Sequence, residues 1–308
     1  MTGAIPFDPE RLIAMPPIVE TQSFTHRDTI LYALGVGAGQ NASSDLRFVY
    51  EAQLEALPTM AVVLGYPGFW QMLPEYGIDW QRVLHAEQSC TLHKPLPAAG
   101  TVRGETSIDA IVDKGREKGS LLLATRSIYD TADASLLATV RQTSFLRGNG
   151  GYGSAGADIP APPPSPERDA DASVVLKTRP EQALLYRLSG DYNPLHVDPS
   201  VATAAGFSAP ILHGLCTYGI AGRAILGWGC GNDPARLKSL ACRFTSPVYP
   251  GEDLRTDIWI LNESEVGFRV VAADRGVIVL DRGRATLAGA DLSRSTVEAG
   301  RPSADTAS

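Results

Sequence analysis

The sequence predicts an α+β protein made of two units that repeat one order of elements, a helix first and long antiparallel strands afterwards. Strand-like runs fill residues 83–146 and return between residues 235 and 288, and each set follows a stretch with helical spacing of its apolar residues. Short motifs also recur at an offset of about 150 residues, far beyond the repeat of a solenoid. We therefore expect a tandem duplication in which each sheet wraps a helix.

The first 24 residues are expected to be an extended lead-in, because their prolines stand too close together for a helix. Thr25 is a suitable N-cap for the helical pattern of residues 26–38. A second, apolar helix is predicted from Pro58 to Leu64, with proline in the favoured first turn. Four strands then follow between Val83 and Leu146, divided by turn residues at Pro97, Gly100, Gly115 and Gly119.

Residues 148–173 are rich first in glycine and then in proline, which is typical of a linker. A phosphate-binding glycine loop would need a bracketing strand and helix and a lysine at set spacing, and these are missing. The second unit, residues 174–290, then gives a helix at residues 180–190, a longer one from Leu212 to Trp228, and strands up to Ala288. The polar tail, residues 291–308, is expected to be disordered.

Composition sets limits on the partners of this chain. With 308 residues and 44% hydrophobic content it is long enough for one large or two medium globular domains. A net charge of −7 argues against nucleic acid or an anionic membrane as a partner, so a phosphate group would need a local cluster of basic residues. The four cysteines form no C-x-x-C pair, and we see no signal peptide or long apolar span. We expect free thiols and a cytoplasmic protein.

One stretch, residues 186–215, concentrates the chemistry. Asp191, Asn193 and His196 lie within six residues, and Pro194 stops any helix that arrives from upstream, so these side chains lie on a stiff loop. An acid and an imidazole are the two groups that transfer protons near neutral pH. Gly214 opens the following helix, whose free N–H groups would form an oxyanion hole. Ordinary turn formation and a satisfied core histidine are the alternatives.

SGDYNPLH followed by PILHGL resembles the signature of type 2 enoyl-CoA hydratases, the MaoC-like family that includes the hydratase part of peroxisomal multifunctional β-oxidation enzymes. The resemblance covers about residues 20–290. It implies a double hotdog, two hotdog units in one polypeptide, with residues 1–147 as a degenerate unit that makes room for a bulky acyl chain. It also implies an acyl-CoA substrate, a homodimer and neither metal nor redox cofactor.

The same resemblance assigns ligand contacts. His85 and Ala86 stand where the family has His-Gly before Glu-Gln, Lys114 stands in the family's CoA-contacting Asp-Lys-Gly turn, and Phe244 precedes Pro-Val-Tyr-Pro-Gly. Without the resemblance, Lys114 would be read as a solvated hairpin lysine and Phe244 as a core aromatic residue.

The duplication predicts one active site per chain. When Tyr32 is aligned with Tyr186, the positions matching the acid, the amide and the imidazole carry no such side chain; they are Gly37, Gly39 and Ala42. As the resemblance implies, hydration would use Asp191 and His196 to activate water for C3 and protonate C2, with Asn193 as an orienting group and the Gly214 N–H at the thioester oxygen. Which of Asp191 and His196 protonates C2 is left open.

Other classes of function stay open at this point. His196, Asp198 and His213 could form a 2-His-1-carboxylate metal site, although the spacing is short and Asp191 would be idle. A thioesterase-like or non-catalytic acyl-CoA binder is possible because hotdog units serve several functions. A dehydratase working in the reverse direction would use the same residues as the hydratase.

Overall fold

The computed structural model describes residues 5–158 and 160–289. The helices are α1 (Pro9–Ile13), α2 (His26–Gly35), α3 (Ala42–Val49), α4 (Gln182–Tyr186), α5 (Pro199–Ala204) and α6 (Gly214–Cys230). The strands are β1 (Ile18–Phe24), β2 (Val83–Leu92), β3 (Gly100–Asp113), β4 (Ser120–Asp130), β5 (Leu136–Leu146), β6 (Ala155–Gly156), β7 (Ala172–Lys177), β8 (Leu237–Phe244), β9 (Asp253–Ile260), β10 (Glu265–Ala272) and β11 (Val277–Leu287). Short 3₁₀ helices occupy Glu51–Gln53, Pro58–Val63, Trp70–Met72, Pro74–Tyr76, Trp80–Arg82, Arg187–Ser189, Pro194–His196 and Pro234–Arg236.

One antiparallel sheet joins the two halves in the order β1-β3-β4-β5-β2-β8-β11-β10-β9-β7, and β6 pairs with β3 beside this path. The order of the first five strands is repeated, from the opposite edge inward, by the last five. The two halves meet where β2 pairs with β8, with Cys90 opposite Leu240. The predicted duplication is thus present in the strand order.

Helix α6 lies against the strands of the C-terminal half, as the sequence predicted, and also reaches the N-terminal half. It contacts β8, β9 and β11, and it packs on the 3₁₀ helix Pro58–Val63. Two glycines allow the close approach: a Cβ at Gly219 would lie 2.5 Å from Val36 Cγ1, and one at Gly222 would lie 2.5 Å from Thr59 Cγ2. Buried side chains from both halves therefore form a shared core around one helix.

The expected apolar helix at Pro58–Leu64 is instead a six-residue 3₁₀ helix, Pro58–Val63. Pro58 stands in its first turn, as predicted, but the chain leaves the helix at Leu64. Gly65 then approaches β3 so closely that a Cβ would lie 2.8 Å from the Gly104 Cα. The backbone contact with β3 ends this helix before it can extend.

The lead-in is more regular than predicted. Asp8 caps α1 by accepting a hydrogen bond from the Arg11 N–H, and Pro9 takes the first-turn position, where proline is tolerated. Strand β1 then pairs with β3 along its whole length, with Ile18 opposite Thr106. Proline spacing misled the prediction because two further prolines, Pro16 and Pro17, fall after the helix has ended.

Residues 148–158 and 160–171 have little regular structure besides β6, but the first of these stretches is hydrogen-bonded to the sheet. The Asp113 carboxylate accepts hydrogen bonds from the N–H groups of Gly115, Gly151 and Gly153. Strand β7 starts at Ala172, inside the segment predicted as linker.

All four cysteines are buried free thiols. None of the helices within residues 5–158 and 160–289 has the length and apolar character that crossing a bilayer demands. The predicted tail, residues 291–308, lies outside the described residues.

Candidate active site

The loop that carries Asp191 and Asn193 is fixed by its own side chains. The Asn193 N–H donates to Asp191 Oδ1 at 3.1 Å, and the Leu195 N–H donates to Asn193 Oδ1 at 3.0 Å. Asn193 therefore caps the 3₁₀ helix Pro194–His196, and Asn193 has extended backbone angles, as expected for a residue before proline. Its amide oxygen is used by the backbone, which leaves the amide NH₂ as the group that could orient a ligand.

His196 is held in one tautomer. Only 9% of the residue is exposed, and its Nδ1 lies 2.8 Å from the Ile211 carbonyl oxygen. Because a carbonyl only accepts, Nδ1 carries the proton, and Nε2 of the neutral ring keeps a free lone pair. Burial lowers the pKa of His196, against the opposing effects of the Ile211 carbonyl and the Asp191 charge. The ring is therefore neutral at pH 7 and suited to accept a proton.

His213 stacks on His196, with ring centroids 3.6 Å apart and planes inclined by 27°. Its Nε2 donates to the main-chain oxygen of Asp191 at 3.1 Å, which leaves a buried Nδ1 without a partner. Burial and the neighbouring His196 lower the pKa of His213 to about 4. This neutral ring holds both the Asp191 backbone and the His196 imidazole in place. Sequence reasoning did not predict the stacking, because no sequence signal reports ring geometry.

The 2-His-1-carboxylate metal site considered from the sequence included the wrong carboxylate, Asp198. Asp198 caps α5 by accepting from the Ser200 N–H at 2.8 Å. The acidic group beside the two histidines is Asp191, and one ligand atom from each of these three residues lies within 4.8 Å of the others. Nitrogen lone pairs lie in the ring planes, so two stacked, nearly parallel rings do not converge on one ion. The arrangement favours proton transfer over metal ligation.

Gly214, Phe244 and His85 meet beside this cluster. Gly214 is the first residue of α6, and a Cβ there would lie 3.1 Å from Phe244 Cε1. The His85 ring lies 4.7 Å from the Phe244 ring, and its buried Nε2 has no hydrogen-bond partner. Burial lowers the pKa of His85 to about 4, against an opposing effect of the Asp191 charge. Ala86 forms a bulge in β2, between the residues that pair with Ser144 and Thr143 of β5.

Lys114 lies in a different place, a surface pocket of about 440 Å³ whose lining residues are Arg82, Lys114, Glu117, Lys118, Phe145 and Arg147. Four cations face one anion there, so the pocket suits an anionic group. Arg82 and Arg147 were not predicted. They meet because β2 pairs with β5, and the Arg147 N–H donates to the Arg82 carbonyl at 3.2 Å. Only Lys118, which is close to Lys114 in sequence, could have been found from charge spacing.

Comparison with known proteins identifies the family. Residues 162–282 match the MaoC like domain, and residues 22–148 match the MFE-2 hydratase 2 N-terminal domain. The 3-hydroxyacyl-thioester dehydratase Y of Mycobacterium tuberculosis is 45% identical over 84% of this chain and 91% of its own length. The chain belongs to the MaoC-like family. The resemblance seen in the sequence is confirmed.

Other MaoC-like relatives match over most of the chain. The peroxisomal enoyl-CoA hydratase 2 of Arabidopsis thaliana is 38% identical over 92% of this chain and 94% of its own length. The crystal structure of a MaoC-like dehydratase from Phytophthora capsici superposes with a TM-score of 0.81 at 38% identity, covering 90% of this chain and 97% of that one. A Mycobacterium tuberculosis protein described as a double hotdog superposes at 0.54 with 17% identity, which shows the fold alone. The predicted α+β double hotdog is confirmed.

Proposed function

We propose that this protein hydrates trans-2-enoyl-CoA to (3R)-3-hydroxyacyl-CoA. The observation that carries the proposal is that a carboxylate oxygen of Asp191 and a ring nitrogen of the neutral His196 lie within 4.8 Å of each other. The similarity to the Arabidopsis relative, an enoyl-CoA hydratase 2, supports the same reaction. Hydration adds water across a double bond without net oxidation, so no redox cofactor is required.

The acid–base pair would handle both protons of the reaction. The lone pair of His196 Nε2 can accept a proton, and the Asp191 carboxylate lies in the same cluster. Together they take a proton from water as its oxygen bonds to C3, and they return a proton to C2. The lowered pKa of His196 favours return of that proton, because burial disfavours the imidazolium.

Helix α6 would stabilise the charge that develops on the thioester oxygen. Gly214 is the first residue of the helix, before the Cys216 N–H, which donates to the His213 carbonyl. The N–H at such a position has no carbonyl of a preceding helical turn to donate to. Seventeen residues of helix place the positive end of the dipole at the same point. The Phe244 ring beside Gly214 limits water at the oxyanion, which strengthens the hydrogen bond.

The basic pocket around Lys114 would bind the phosphates of CoA. The pocket also contains three further cations, Arg82, Lys118 and Arg147. This local positive charge would allow a protein with a net negative charge to bind an anionic ligand. The acyl chain would enter the N-terminal half, where the short 3₁₀ helix Pro58–Val63 contacts β2 and β5. We further propose a homodimer, a cytoplasmic location and a role in fatty-acyl degradation.

A second candidate is the reverse reaction, dehydration of a (3R)-hydroxyacyl thioester in a biosynthetic pathway. The name of the Mycobacterium tuberculosis relative, which is 45% identical, favours it. The same residues would act in both directions, so the two functions differ in the pathway rather than in the site. A thioesterase would differ in its product, because it would release free CoA thiol.

The test is a hydration assay over enoyl-CoA substrates of graded size, with chiral analysis of the product. Asp191→Asn and His196→Gln are expected to lower kcat by ~10²–10⁴-fold, since each removes a proton-transfer group. Asp198→Asn and His93→Gln are matched controls at exposed positions and should retain turnover. Full activity in both site variants, an (S) product, or release of CoA thiol would contradict the proposal.

A further inference from the structure

Arg126 is a buried cation on the inner face of β4 in the N-terminal half. Only 5% of the residue is exposed. Its Nη2 donates to the Val62 carbonyl at 2.6 Å, whereas its Nε is buried without a hydrogen-bond partner. A guanidinium has five N–H donors, so one carbonyl satisfies little of its hydrogen-bonding capacity.

Arg223, a second buried arginine, shows what normally accompanies such a charge. Its Nη2 lies 3.1 Å from Asp45 Oδ2, and both side chains are at most 10% exposed. The ionisable groups that act on Arg126 are instead the Tyr66 hydroxyl and the Cys90 thiol. Burial lowers the pKa of Arg126 to about 10, so it stays protonated at pH 7. Buried charges are normally paired, and the partner of Arg126 is not supplied by those groups.

Tyr66 connects this cation to the candidate active site. The Arg126 Cζ lies 5.1 Å from the centroid of the Tyr66 ring, a cation–π distance. Burial raises the pKa of Tyr66 to about 12, and the Asp191 charge also raises it, while Arg126 opposes both. The Tyr66 hydroxyl therefore lies within the electrostatic reach of both the catalytic carboxylate and the buried guanidinium.

Taken with the proposed function, on which this step rests, these contacts assign a ligand to Arg126. The guanidinium projects from the inner face of β4 toward the 3₁₀ helix Pro58–Val63, in the half proposed to receive the acyl chain. We propose that Arg126 binds a carboxylate on the acyl portion of the substrate. The preferred substrate is then an enoyl-CoA with a second, distal carboxylate, and Tyr66 lines the path to it.

A purely structural role makes different predictions. If Arg126 only held the Val62 carbonyl, its loss would destabilise the fold and reduce turnover of all substrates alike. In both roles, replacing Arg126 by an apolar side chain also removes the donor to the Val62 carbonyl, so some loss of stability is expected either way. A ligand-binding cation differs because its loss should reduce turnover selectively for substrates that carry a distal carboxylate. Substrate preference therefore separates the two roles.

The test compares trans-2-enoyl-CoAs of graded length whose distal end is a methyl group, a carboxylate or the methyl ester of that carboxylate. At the acyl-chain length that reaches Arg126, we expect the wild type to have a kcat/KM at least ~10-fold higher for the carboxylate than for its methyl ester. A charge-assisted pair between the guanidinium and the carboxylate would provide a difference of this size. Arg126→Met should bring that ratio to about 1, and Arg126→Lys should keep part of it. Arg103→Met, which removes an exposed arginine from β3, should keep the wild-type ratio.

Two results would overturn the inference. One is a wild-type ratio near 1 at every chain length. The other is an Arg126→Met variant that folds and keeps the wild-type ratio, whether or not its turnover of all three substrate types falls equally. If the wild type hydrates none of the three substrate types at any chain length, the proposed function itself fails, which distinguishes the two failures. The wild-type ratio decides the matter even if Arg126→Met does not fold.

Discussion

The two halves share one strand order but differ in what lies against their strands. The C-terminal half holds the seventeen-residue helix α6, and the N-terminal half holds a six-residue 3₁₀ helix. The candidate acid–base residues lie beside the start of α6, while the aligned N-terminal positions carry no acid or imidazole. A duplicated strand order therefore does not produce a second active site, because the candidate site depends on helix α6, which belongs to the C-terminal half.

That helix nevertheless stabilises both halves. Arg223 of α6 pairs with Asp45 of α3, and Gly219 and Gly222 allow α6 to touch Val36 and Thr59. The halves are therefore expected to unfold together. Substitutions at these contacts test how strongly the N-terminal half depends on a helix from the other half.

The largest effect is expected at the buried ion pair. Asp45→Asn leaves Arg223 buried without its counter-charge and should lower the free energy of unfolding by ~3–5 kcal/mol. Asp133→Asn, in the exposed pair with Lys94, should cost far less, because solvent screens an exposed ion pair. Urea unfolding of both variants measures the difference. Equal losses would show that the link between the halves is no stronger than a surface ion pair.

A smaller effect is expected where α6 approaches α2. Gly219→Ala places a Cβ 2.5 Å from Val36 Cγ1, and this overpacking should cost ~1–3 kcal/mol. In the same helix, a Cβ at Gly227 would meet only Asn232 Oδ1, at 3.5 Å. Gly227→Ala should therefore be neutral or stabilising by up to ~1 kcal/mol, as helix propensity predicts. Similar Tm values for the two variants would mean that the contact between the halves relaxes freely.

The smallest effect concerns pH. The pKa of His213 is about 4 in the folded protein, so between that value and about 6.5 the unfolded chain binds a proton that the native state does not. Stability should therefore rise with pH across this window and fall as the solution is acidified. His213→Asn should show a shallower dependence of Tm on pH than the wild type, whereas His26→Gln, at an exposed position, should not. Parallel curves for His213→Asn and the wild type would contradict the assigned burial.

Local signals explain the elements that the sequence predicted well. Thr25 and Asp28 form a capping box at the start of α2, with the Thr25 N–H donating to Asp28 Oδ2 at 2.8 Å. The four strands between Val83 and Leu146 were visible from composition and turn residues alone. Strands β1 and β7 were missed because an edge strand is short and is defined by its partner, here β3 and β9.

What the sequence alone determined is the chemistry available: an acid, an amide and an imidazole on a loop stopped by Pro194, followed by a helix, predicted from Leu212, with Gly214 in its first turn. Tertiary structure decided what those groups can do. The His196 tautomer depends on the Ile211 carbonyl, and the lowered pKa values of His196 and His213 depend first on burial. The reason is physical: side-chain identity is local, whereas desolvation and hydrogen-bond partners come from parts of the chain that only folding brings together.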